Sequence, residues 1–78
     1  MKTMTCKQLG GACNLEFHAD TFKEIAQMSK NHGLEMFKKG DVPHLQAMEQ
    51  MQQKTQNPEE MQKWMVAKQK EFEALDSD

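Results

Sequence analysis

Seventy-eight residues with a net charge of −2 and a mean hydropathy of −0.88 leave room for one small domain with a thin core. Ten lysines are scattered among twelve acidic residues with no basic block, which argues against nucleic acid as a partner. No apolar run is long enough to span a membrane, and MKTMTC lacks the apolar stretch of a secretory signal. The chain is therefore expected in the cytoplasm, with reduced thiols.

The first nineteen residues read as a β-hairpin. Met4 and Cys6 share one parity, while Cys13, Leu15 and Phe17 share another, and Gly10-Gly11 suits the connection between the two strands. The second strand is expected from about Cys13 to Ala19, with Leu15 and Phe17 on its buried face.

A long helix is expected over residues 21–39. Thr21 followed by Glu24 resembles a capping box. Phe22, Ile25, Ala26, Ser29, Gly33, Met36 and Phe37 recur at helical spacing on one face. Lys38-Lys39 and then Gly40 suit its C-terminal end. Asp41 can cap a second helix with Pro43 in its first turn and Leu45, Met48 and Met51 on its stripe, ending near QQKTQ. Asn57-Pro58 opens a third, carrying Met61, Trp64, Met65, Phe72 and Leu75, before the acidic tail Asp76-Ser77-Asp78. The expected class is α+β in the order ββααα. Residues 1–40 form a hairpin-plus-helix unit, and residues 41–78 a helical hairpin packed on it as a single domain.

Cys6 and Cys13 have three possible fates: inert packing as small apolar residues, metal ligation, or thiol redox chemistry. A strand from Cys13 to Ala19 runs about 20 Å. A helix returning from Thr21 to His32 climbs about 16–17 Å. His32 thus returns to the level of Cys13, at the margin of the apolar stripe, and Cys6 ends the first strand nearby. Two thiols and an imidazole suit zinc. His18 and His44 read as surface histidines. His18 lies about 16 Å from Cys13 along the strand and on its opposite face. His44 is better placed to complete the set, because the chain reverses at Gly40. The fourth position falls to His44, His18 or water.

MKTMTCKQLGGAC, the FHADTF strand end and the helix bearing His32 resemble the DUF1059 family, small bacterial and archaeal proteins described as predicted small metal-binding proteins. The resemblance covers about the first forty residues. It implies that Cys6, Cys13 and His32 match that family's two cysteines and helix histidine. Many of its members carry a second histidine five positions later, where this chain has Phe37.

The eight methionines mostly fall at helical spacing and read as core filling. No nucleophile–base pair with an orienting third group, phosphate-cradling glycine loop or HExxH is present, so an enzyme is not expected. Two functions remain: a zinc-binding protein using Cys6, Cys13 and His32, or a metal-free module that pairs with a protein partner or forms a homodimer through its helices.

Overall fold

The computed structural model describes residues 1–77. Strands β1 (Lys2–Thr5) and β2 (Glu16–Ala19) precede helices α1 (Phe22–Lys39), α2 (Val42–Lys54) and α3 (Pro58–Ala74), the expected α+β order ββααα. The strands are antiparallel, with Lys2 opposite Ala19 and Thr5 opposite Glu16. Their shared buried face carries Met4, Phe17 and Ala19.

β2 is shorter than its sequence suggests. Cys6 N–H still donates to Leu15 C=O at 2.8 Å, in register with the strands. The register then breaks: a regular ladder would bring Gln8 N–H to Cys13 C=O, but Lys7 N–H takes that carbonyl instead, at 3.0 Å. The one-residue slip ends the sheet, as a bulge does. The expected burial of Leu15 is overturned as well: it stands outside β2 and is 48% exposed.

Each helix starts and stops where local chemistry dictates. Thr21 Oγ1, Asp41 Oδ2 and Asn57 Oδ1 accept from the backbone N–H groups of Glu24, His44 and Glu60, satisfying donors that the first helical turn leaves orphaned. Proline stands in the first turn of α2 and α3, where its missing N–H costs nothing. Gly40, at φ +70°, closes α1 in the left-handed conformation and turns the chain into Asp41. α2 continues through Gln52 and Gln53 to Lys54, beyond its apolar stripe.

The core is small. Phe22 and Ile25 of α1 sit beside Met4, Phe17 and Ala19, and Phe72 is the one buried residue of α3. Phe22 and Phe72 meet edge to face at 6.0 Å between centroids, which fastens α3 across α1. The stripe expected on α1 is buried only in its first half. Met36 is half-buried and Phe37 is 61% exposed. On α3, Met61 and Met65 remain exposed. The molecule measures 33 × 28 × 15 Å between Cα atoms, and its least dimension leaves little depth for a second core layer. The acidic tail is not free at Ser77, whose hydroxyl lies 3.3 Å from both the N and the O of Met1; Asp78 lies outside the described residues. Among the described residues, no helix is long and apolar enough to cross a membrane.

Candidate metal centre

The slipped connection between the strands is where the chemistry gathers. After Cys6 the backbone turns tightly, with Leu9 and Gly11 N–H groups both donating to Cys6 C=O, at 3.1 and 2.8 Å. Gly10 takes φ +94°, which a side chain would resist. Gly11 is needed for a different reason. A Cβ there would lie 2.1 Å from Cys6 Sγ, so the missing side chain makes the space that the sulfur occupies. Cys13 then returns toward Cys6.

α1 delivers His32 to the same point, as the strand and helix lengths imply, although β2 itself starts three residues later than Cys13. His32 Nε2 lies 3.3 Å from Cys13 Sγ, and its ring rests edge-on against Phe17 at 5.8 Å. α2 delivers His44, which is 5% exposed and whose Nε2 lies 3.6 Å from Cys6 Sγ. The reading of His44 as a surface histidine is therefore corrected. The reversal at Gly40 and the cap at Asp41 start α2 so close to the hairpin that its first turn must face the thiols. The two imidazoles meet at 5.2 Å between centroids. One donor atom from each of Cys6, Cys13, His32 and His44 lies within 4.8 Å of the other three. His18 is elsewhere: its Nδ1 is 2.8 Å from Thr3 Oγ1 on the exposed side of the hairpin.

Asp41 has two roles. Its Oδ2 accepts the backbone N–H of His44 at 3.3 Å as the cap of α2, and it lies 2.5 Å from His44 Nδ1. A carboxylate on Nδ1 fixes the ring so that Nε2 presents its lone pair to the sulfurs, the arrangement that supports metal-bound histidines. That contact holds the Asp41 carboxyl below its usual range. It also raises the His44 imidazole above its own, against the opposing effect of burial. The thiols differ from one another. Burial pushes Cys6 up, although the Cys13 and Ala12 N–H groups pull the other way. At Cys13 burial also acts upward, but the Leu15 N–H, the His44 ring and the Cys6 thiol outweigh it, and Cys13 is lowered.

Cys6, Cys13 and His32 are thus brought together as the sequence reading expected, and His44 joins them. The signal for His44 was present in the sequence as Asp41-x-x-His44 at a helix start. A capping carboxylate there reaches both the backbone and the ring of the residue three positions on. Phe37, five residues after His32, is exposed and takes no part. Cys6 and His44 form a buried half of the cluster, Cys13 and His32 a half-buried one. The chain matches no family model, no curated protein and no solved structure.

Proposed function

We propose that this protein binds one zinc ion through Cys6, Cys13, His32 and His44, and that the ion ties the hairpin connection to α1 and α2. The observation that carries this reading is the spacing of the donors. With bonds of about 2.3 Å to sulfur and 2.0–2.1 Å to nitrogen, a tetrahedral ion requires sulfur–nitrogen separations of about 3.5 Å. The Cys6–His44 and Cys13–His32 pairs stand at 3.6 and 3.3 Å, and all four donors lie within 4.8 Å of one another.

The donor set supports zinc over the alternatives. Calcium and magnesium take oxygen ligands, whereas two thiolates and two imidazoles suit a borderline ion with tetrahedral preference. The resemblance to the DUF1059 family points the same way for three of the four ligands. Four protein donors fill a tetrahedral shell and leave no position for a reacting water, so the role is structural and not catalytic. A thin core in a chain of this length is the setting in which a metal cross-link stabilises most. It would belong to a soluble protein of the cytoplasm, where the thiols stay available to the ion.

Elemental analysis of protein purified without a histidine tag should find about one zinc per chain. Cobalt substitution should give thiolate-to-metal absorption from two sulfurs, and Cys13→Ser should remove half of it. Chelation should lower the melting temperature, since an ion at a thousand times its dissociation constant stabilises by about 4 kcal/mol. A metal-free protein whose melting ignores both zinc and chelator would overturn the reading.

A further inference from the structure

The two sulfurs of the cluster are unequally placed. Both cysteines are free thiols, but Cys6 is 3% exposed whereas Cys13 is half-buried. The sequence holds no third cysteine, so an oxidised thiol here has a single possible partner within the chain.

That partner is within reach. Lys7, the residue after Cys6, donates its N–H to Cys13 C=O at 3.0 Å, which sets the two cysteine backbones side by side. Cys6 Sγ and Cys13 Sγ lie within 4.8 Å of each other. A disulfide holds its sulfurs at about 2.05 Å, so they have to close by less than about 3 Å, a distance that χ1 rotation covers. There is room for the rotation. Gly11 sets no side chain against Cys6 Sγ, and a hollow of about 320 Å³ lined by Cys6, Gly10, His44 and Met48 adjoins the sulfur. Ligation and bridging exclude one another, because the thiolate is the metal ligand and a bridged sulfur has lost that charge.

We infer that Cys6 and Cys13 are a redox pair that a hydroperoxide closes into a disulfide, expelling the zinc. Only the expulsion rests on the zinc reading; the bridge needs the two thiols alone. The Cys13 thiolate attacks one oxygen of hydrogen peroxide: an S–O bond forms, the O–O bond breaks, and the other oxygen leaves as hydroxide. The Cys6 thiolate then attacks the Cys13 sulfur: the S–S bond forms, the S–O bond breaks, and a second hydroxide leaves. The two sulfurs together lose two electrons, the peroxide gains them, solvent protonates both hydroxides to water, and zinc departs as the unchanged divalent ion. Exposure assigns the roles, the half-buried Cys13 reacting first and the buried Cys6 resolving it. A thiol reductant reopens the bridge and lets the ion return.

The test exposes the full chain, zinc-loaded and chelator-treated in parallel, to equimolar hydrogen peroxide. Peptide mapping by mass spectrometry should find a Cys6–Cys13 linkage, with the loss of two hydrogens, in both states. A chromogenic chelator should detect one zinc ion released from the loaded chain for each bridge formed, and a thiol reductant should reverse both changes. In Cys6→Ser, dimedone should trap a sulfenic acid on Cys13, whereas in Cys13→Ser the buried Cys6 should take up many times less label. A chain that bridges but takes up no zinc supports the pair and refutes the zinc reading. Four results would overturn the inference: no bridge in the chelator-treated chain, a bridge only between two chains, a loaded chain that bridges and keeps its zinc, or one that keeps both zinc and thiols under peroxide that bridges the free chain.

Discussion

Gly11→Ala is the sharpest perturbation of the proposed site, because it adds one methyl group and no charge. The new Cβ would sit 2.1 Å from Cys6 Sγ and 3.1 Å from Cys6 C=O. A carbon and a sulfur rest no closer than about 3.5–4 Å, so the sulfur must yield by about 1.5 Å. A metal–sulfur bond of about 2.3 Å cannot survive that displacement unless the ion follows, and His44 and His32 hold it back. Disturbing a support of a metal ligand costs about 10–100-fold in affinity, and losing the thiolate costs more. Chelator competition should therefore show at least that loss, and the cobalt derivative should show one thiolate in place of two. Gly33→Ala is the control. A Cβ there meets only Met48 Cε, at an ordinary 3.6 Å, and lies inside α1. It should leave zinc affinity unchanged and raise stability by up to about 1 kcal/mol. If Gly11→Ala binds zinc as the parent does, with two sulfurs on the ion, the account of Cys6 as a ligand fails.

Asp41→Asn keeps a competent helix cap, since asparagine caps as well as aspartate. It should lower zinc affinity about 10–100-fold in chelator competition, and lower metal-free stability only below the raised His44 value, where the ion pair exists. The pH dependence of the zinc-free protein has a defined sign. His44 is raised above its unfolded value of 6.5, so its stabilisation is complete below that pH and is lost as pH rises through the folded value. Asp41 is lowered below 3.8, so its share is present above that pH and lost as pH falls through the folded value. Thermal melts in chelator should peak between about pH 4 and 6.5 from this pair, and Asp41→Asn should flatten the peak. Zinc affinity should run the other way and rise with pH past the raised His44 value, because the ion displaces a proton. Phe72→Ala should cost about 3–5 kcal/mol in urea unfolding and release α3, since Phe72 is the only buried residue of that helix. Gly40→Ala, at φ +70°, should cost about 1 kcal/mol although nothing stands within 4 Å of the added methyl group.

Local chemistry by itself determined much of this protein. The helix boundaries follow from Thr21, Gly40, Asp41 and Asn57-Pro58, because caps and left-handed glycines act within one turn and leave their mark in adjacent residues. The meeting of His32 with Cys13 was also legible, as it needs only the lengths of a strand and a helix that double back on each other. Tertiary structure decided the rest. Leu15 is left half exposed just before β2 begins, because where a short sheet stops is settled between strands and not within either. Phe37 shares a helical periodicity with Phe22 and Ile25 but finds no neighbour to cover it, since periodicity names a face and not what lies against it. His44 becomes the fourth donor because the turn at Gly40 aims α2 at the thiols, and the direction of a chain after a turn depends on what the second helix packs against.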